Sequence, residues 1–92
     1  MSKVVKFSAS WCGPCRAYKP TFEKVSKMDE FGGIEFEELD VDENEELAAK
    51  YGIRGVPATV FLNDREEMVD RLAGLQTEGD LVKKIREVFP KA

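Results

Sequence analysis

Cys12 and Cys15 are the only thiols in this chain of 92 residues, and Gly13 and Pro14 separate them. Two intervening residues at the start of a helix let the sulfurs reach bonding distance, so the pair can pass between dithiol and disulfide with little backbone movement. A helix N-terminus adds unpaired N–H groups and positive dipole potential, and both favour thiolate. The expected asymmetry assigns roles. Cys12, at the mouth of the helix, is the nucleophile that attacks a foreign disulfide. Cys15, a turn further in and more covered, is the resolving thiol that attacks Cys12 and releases the product. Gly13 and Pro14 are structural parts of the same turn, since a proline early in a helix gives up an N–H that has no partner there. Two other readings of the pair stand beside this one. One is a structural disulfide, although so short a loop removes little unfolded-state entropy. The other is a metal site shared between two chains, for which the sequence supplies no further ligands.

The absences narrow the chemistry further. There is no histidine, which removes Ser-His-Asp and Cys-His nucleophile systems and every His-ligated metal. Two cysteines cannot form a four-cysteine zinc or iron–sulfur site within one chain. No bound metal is therefore expected. Lys and Arg number 14 against 18 Asp and Glu, a net charge of −4, which disfavours nucleic acid as a partner. No apolar run approaches the roughly 18 residues of a membrane span, and residues 1–7 lack the apolar stretch of a secretory signal. A cytoplasmic location follows as an expectation. Apolar residues at 42% and charged residues at 35% suit a globular fold, and residues 1–92 are expected to form a single domain.

The elements that must position the cysteines can be read from periodicity. A strand is expected over 3–8. A helix starts within Cys12–Cys15 and runs to about residue 29, with Tyr18, Phe22 and Val25 as an apolar stripe and Pro20 expected to kink it. Gly32-Gly33 breaks the chain before a strand over 34–40. Asp42 or Asn44 can cap a short helix carrying Leu47, Ala48 and Tyr51, which Gly52 can end in the left-handed conformation. A strand over 58–62, a turn over 63–66 and a strand over 67–72 follow. Thr77 and Asp80 resemble a capping box for a last helix that runs to about residue 89, with Leu81, Val82, Ile85, Val88 and Phe89 on one face. A βαβ unit implies a parallel strand pair with a right-handed crossover, and the short turn implies an antiparallel hairpin. The expected architecture is α/β, a four-stranded mixed sheet (βαβ + α + ββα) flanked by helices. Charge is uneven along it: residues 34–51 hold eight acids and one base. A solvated strand edge and carboxylates at a helix N-terminus explain that block.

The run Trp11-Cys12-Gly13-Pro14-Cys15, with Tyr51-Gly52-Ile53-Arg54-Gly55-Val56-Pro57 later, resembles the thioredoxin family over about residues 4–89. The resemblance implies a minimal thioredoxin-like fold and a protein-disulfide reductase that donates two electrons to disulfides in protein substrates. It implies a cytosolic monomer with no bound cofactor beyond the redox-active Cys12-Cys15 disulfide, re-reduced by a thioredoxin reductase that draws on NADPH. It makes Val56–Pro57 a cis peptide packed against the sulfurs. Such a bond turns the Val56 backbone outward, where it can pair with an extended substrate peptide; the alternative is an ordinary trans proline opening a strand. Trp11 would shield the sulfurs and contact partners, or else anchor the core. Gly74, between Ala73 and Leu75, aligns with the family's glycine beside the peptide groove, or simply ends a strand. Two rival functions remain. A glutaredoxin-like enzyme reduced by glutathione suits the short chain, with Lys3 or Arg16 as a site for a glutathione carboxylate. A non-catalytic interaction module would use Trp11, Val56, Ala73 and Leu75 as an apolar surface.

The chain departs from the family pattern twice. The usual N-terminal strand and helix are missing ahead of the active-site strand, so one sheet edge is expected to be exposed and the stability margin smaller. The family's buried aspartate, six positions before the first cysteine, is replaced by Lys6, and its lysine on the neighbouring parallel strand by Glu38. The charges of the pair are thus exchanged. Lys6 and Glu38 are expected to meet under the redox helix near Cys15, with Glu38 as proton acceptor when Cys15 must become a thiolate and Lys6 lowering the cost of thiolates nearby. The alternative is that Lys6 extends to solvent and Glu38 is one acid of a polar strand that also carries Glu35, Glu37 and Asp40.

Overall fold

In the computed structural model, which describes residues 1–90, the first strand becomes an inner strand of a mixed sheet. Its elements are β1 (Lys3–Ser8), α1 (Gly13–Ser26), a 3-10 turn (Asp29–Phe31), β2 (Glu35–Asp40), α2 (Glu45–Lys50), β3 (Ala58–Leu62), β4 (Met68–Ala73) and α3 (Glu78–Val88). The strand order is β2-β1-β3-β4. β1 and β2 run parallel, with Lys6 opposite Glu38. β3 is antiparallel to both β1 and β4. This is the expected four-stranded mixed sheet.

Alternation along β1 divides the core. Val4 joins Tyr18, Phe22 and Val25 of α1, Phe61 of β3, and Leu81, Val82 and Ile85 of α3. Val5 and Phe7 point the other way, towards Ala48, Tyr51, Val60 and Leu62. β3 is buried along its whole length, as a strand covered on both faces must be. On the α1 side, aromatic edges continue the packing: Phe22 lies 5.9 Å from Tyr18 and 5.7 Å from Phe36, centroid to centroid.

Several boundaries differ from the sequence reading, each for a local reason. α1 ends at Ser26, where the Lys27 N–H turns to the Lys24 carbonyl and the Met28 N–H to the Val25 carbonyl. The 3-10 turn that follows drops Phe31 into the core. The helix continues through Pro20, whose ring nitrogen forgoes one helical bond. Asn44 stands at the N-cap of α2 but caps nothing with its side chain, because its amide donates to the Asp40 carbonyl at 2.9 Å. At the other end Gly52 takes φ +65°, and the Arg71 guanidinium donates to the Tyr51 and Gly52 carbonyls. In the hairpin, Asn63 Oδ1 accepts from the Arg65 and Glu67 N–H groups. That side-chain turn holds Glu67 in the loop, so β4 begins at Met68, and the register shifts between Phe61 and Leu62. Thr77 caps α3 by accepting from the Asp80 N–H at 3.1 Å.

β2 is a margin of the sheet, and among the described residues no strand pairs with its outer edge. Its side chains on the α2 face are charged. Lys3 lies 3.6 Å from Glu35 and 3.4 Å from both Glu37 and Glu66. Partial burial works to lower the basicity of this amine, but Glu37 first, then Glu35 and Glu66, outweigh it and hold it above its ordinary value. Among the described residues no helix is long and apolar enough to cross a membrane.

Tyr18 crosses the core beneath α1. Its hydroxyl is 2.8 Å from Thr59 Oγ1, and both residues are fully buried. Burial pushes its phenol up to about 12, with the Thr59 hydrogen bond acting weakly the other way. A phenol that ionises at about 10 when unfolded therefore holds its proton more tightly in the fold. The resulting stability is complete below pH 10 and is lost as pH rises through 10–12. Urea unfolding midpoints measured from pH 9 to 12 are expected to fall more steeply for the native chain than for Tyr18→Phe; equal slopes would refute the assignment.

Candidate active site

β1 ends at Ser8, and residues 9–11 carry the chain from the edge of the sheet to the mouth of α1. The Cys12 N–H closes this turn on the Ala9 carbonyl at 3.1 Å. Cys12 is the N-cap of α1, and its Sγ accepts from the Cys15 N–H at 3.2 Å. Cys12 and Cys15 are joined as a disulfide, with Cα atoms 5.3 Å apart. A sulfur in the N-cap position takes the place normally held by a capping oxygen. When the bond opens, a Cys12 thiolate keeps that N–H and the dipole behind it.

The expected difference in exposure between the two cysteines is absent. Cys12 is 5% exposed and Cys15 4%. Both pack with Ala9, and Val56 and Val41 close over them. Val56 is what covers the outer sulfur, its carbonyl oxygen lying 3.6 Å from Cys12 Sγ. The two sulfurs differ in surroundings instead: Cys12 faces the Val56 backbone, whereas Cys15 borders a cleft on the opposite side of the helix mouth.

Val56–Pro57 is a cis peptide bond. The Gly74 N–H donates to the Pro57 carbonyl at 2.9 Å, with Gly74 at φ +81°. Ala73 is exposed and pairs with Ala58 at the head of β3. Gly74 and Ala73 thus lie beside the proline, and Leu75 beyond them is exposed. Trp11 is no core anchor. It is 67% exposed, and its Nε1 donates to Asp42 Oδ2 at 3.2 Å. Between Trp11, Val41, Ile53, Arg54, Gly55 and Val56 lies an open hollow of about 130 Å³. Gly13 and Pro14 form the exposed first turn of α1.

The cleft beside Cys15, about 160 Å³, is lined by Lys6, Glu38 and Asp40 from the sheet and Cys15, Arg16 and Lys19 from α1, among others. Lys6 does not extend to solvent: it is 1% exposed. Its Nζ lies 3.4 Å from Glu38 Oε2 and over the rings of Tyr18 and Phe22, 5.4 and 5.6 Å from their centroids. An ammonium over aromatic faces gains cation–π attraction in addition to the ion pair. Glu38 remains 31% exposed, so the pair spans the boundary between core and water. Lys3 stands elsewhere. It occupies the far end of β1, roughly 16 Å from Ser8 at strand spacing, and is engaged by three carboxylates. Arg16 is near the thiols, but its guanidinium donates to the Ser10 carbonyl at 3.2 Å. Among the described residues no three His, Cys, Asp or Glu side chains converge as metal ligands would.

Sequence reasoning offers Asp42 only as a helix cap and Ile53 only as part of a motif, and it gives no role at the site to Val41 or to the Tyr18–Thr59 pair. For Asp42 the available signal was its place just past the strand parallel to β1, at the sheet end where the cysteines emerge.

A profile described as Thioredoxin matches residues 1–87. The chain belongs to the thioredoxin family. It is 43% identical over 65 residues to the thioredoxin Asp f 29 of Aspergillus fumigatus, an alignment spanning 71% of this chain and 59% of that protein. It is 38% identical to a thioredoxin of Staphylococcus epidermidis, over 88% of this chain and 76% of that one. The solved thioredoxin of Fasciola hepatica superposes with a TM-score of 0.84 at 42% identity, over 95% of this chain and 80% of the other. The chain spans about three fifths of the length of the first curated relatives it matches.

The unequal burial of the ion pair gives an unequal cost of breaking it. Glu38→Gln leaves an ammonium stranded in the core and is expected to cost about 3–5 kcal/mol. Lys6→Met leaves a carboxylate that water still reaches and fits the aromatic surroundings, so about 1 kcal/mol or less is expected. The double substitution should recover most of the larger loss in urea unfolding; strictly additive losses would show that the two side chains do not interact.

Proposed function

We propose that the chain is a protein-disulfide reductase working by dithiol exchange through Cys12 and Cys15. The observation that carries this reading is the disulfide at the N-terminus of α1, with the Val56 carbonyl and cis-Pro57 beside it. The Cys12 thiolate attacks one sulfur of a substrate disulfide. A Cys12–substrate S–S bond forms, and the other substrate sulfur leaves as a thiolate. Cys15 then gives its proton to Glu38 through the cleft, which is wide enough for several waters at about 30 Å³ each. The Cys15 thiolate attacks Cys12 Sγ, the mixed disulfide breaks, and the second substrate sulfur leaves. Two electrons have passed to the substrate, and the protein is left with the Cys12–Cys15 bond present in the structure. An extended substrate segment would lie along Trp11, Val56, Pro57, Ala73 and Gly74. The dithiol is restored by a thioredoxin reductase drawing on NADPH, and the protein acts as a cytoplasmic monomer with no further cofactor.

The glutathione-dependent rival loses support because Lys3 is remote and Arg16 already has a backbone partner. The interaction-module rival keeps the exposed Trp11 and Leu75 but leaves the helix-mouth disulfide without a use.

The reduced protein is expected to cleave insulin disulfides with turnover when thioredoxin reductase and NADPH are supplied. Cys12→Ser should abolish this, and Cys15→Ser should accumulate a mixed disulfide visible by mass spectrometry. Turnover only with glutathione would favour the glutaredoxin-like reading, and no turnover with either would favour the module. Glu38→Gln should slow release of the mixed disulfide by roughly 100-fold, the size of a general-base contribution; an unchanged rate would remove Glu38 from the mechanism.

A further inference from the structure

We propose that Lys6 is a positioning residue that sets the redox poise of the disulfide, holding a fixed positive charge beneath Cys15 that Glu38 opposes from the solvent side. The inference rests on the dithiol reading above and adds to it a determinant of the equilibrium. The charged groups facing the cleft are Lys6 from β1, Glu38 and Asp40 from β2, and Arg16 and Lys19 from α1. Arg16, Lys19 and Glu38 are exposed, the Glu38 side chain by 31%, and Asp40 is partly so. Water and salt screen the fields of exposed charges far more than those of buried ones. Lys6 alone is withdrawn from water, so its field reaches the sulfurs least attenuated.

The disulfide carries no charge, whereas the reduced site carries a thiolate. A buried ammonium therefore favours the reduced form selectively, and a carboxylate disfavours it. The two members of one ion pair thus act on the couple with opposite signs. A role confined to stability gives no such opposition, because breaking the pair from either side only weakens the fold.

The test is equilibrium with the glutathione couple: Cys12–Cys15 disulfide plus two glutathione thiols gives the dithiol plus glutathione disulfide, with two electrons and two protons transferred. Lys6→Met is expected to shift this equilibrium about tenfold towards the protein disulfide, which is about 30 mV more reducing. Glu38→Gln is expected to shift it about tenfold the other way, and the double variant to return close to the native value. Thiolate absorbance at 240 nm should follow, with titration of the reduced site moving up in Lys6→Met and down in Glu38→Gln. Glu38→Gln would then resolve mixed disulfides slowly while favouring the dithiol at equilibrium, which separates its kinetic role from its field. Shifts of the same sign in the two single variants, or no shift in Lys6→Met, would overturn the proposal. If Glu38→Gln does not fold, a Lys6→Met shift cancelled in the double variant supports the proposal, and one that persists there overturns it. The assay needs no protein substrate, so a failure of insulin reduction would sink the reductase reading and leave this measurement standing.

Discussion

The pleat of β1 is the constraint on which the site depends. Successive side chains of a strand point to opposite faces, so β1 sends Val4 and Lys6 towards α1 and Val5 and Phe7 towards α2. An ammonium is thereby committed to the underside of α1. The parallel register with β2 sets Glu38 opposite it. A slip of one residue would turn β2 over, carrying Glu38 away from Lys6 and Phe36 out of the packing on the α1 side, and in one direction would leave Leu39 beside the ammonium. A buried charge without a counter-ion costs several kcal/mol. The register of the β1–β2 pair is therefore fixed by the electrostatics of the site as well as by backbone hydrogen bonds.

The same topology places the sulfurs. From β1 the chain crosses through α1 to β2 on one side, and from β2 it returns through α2 to β3 on the other. The carboxyl end of β1 lies where these two connections diverge, and in α/β sheets that divergence leaves a crevice. Residues 9–11 and the mouth of α1 occupy one side of it, and the segment before β3 closes the other with Val56 and Pro57. Residues 44 positions apart thus meet at the 3.6 Å approach of Cys12 to the Val56 carbonyl. Gly74 ties the far side of the proline to the end of β4.

Much of this arrangement was legible because the signals were local. The Cys-Gly-Pro-Cys run marks its own helix start, and the stripe of Tyr18, Phe22 and Val25 marks the buried face. The swapped charges at Lys6 and Glu38 could be located by counting from motifs at fixed offsets. What could not be read depends on distant chain. The covering of Cys12 comes from Val56, which no property of the helix mouth reveals. The start of β4 was misplaced because Asn63 makes hydrogen bonds that hold Glu67 in the loop. Asn44 occupies the cap position by spacing, yet its side chain is drawn to the Asp40 carbonyl. Polar side chains that choose between neighbouring backbone groups are poorly constrained by sequence alone.

The distribution of charge is best understood from where each acid goes. The block over residues 34–51 holds eight acids, but it does not form one acidic face. Glu35 and Glu37 meet Lys3 on the α2 side of the sheet, and Glu38 meets Lys6 on the α1 side. Asp40 accepts the Asp42 N–H, and Asp42 holds the Trp11 indole. Glu45 and Glu46 stand in the first turn of α2, where the helix dipole favours them. Only Glu43 has none of these duties. The alternation of β2 is what sorts the carboxylates, sending neighbours in sequence to opposite faces. An edge strand that carries charges on both faces is also a poor template for pairing with another chain, so the acids that serve the two lysines also protect the margin of the sheet.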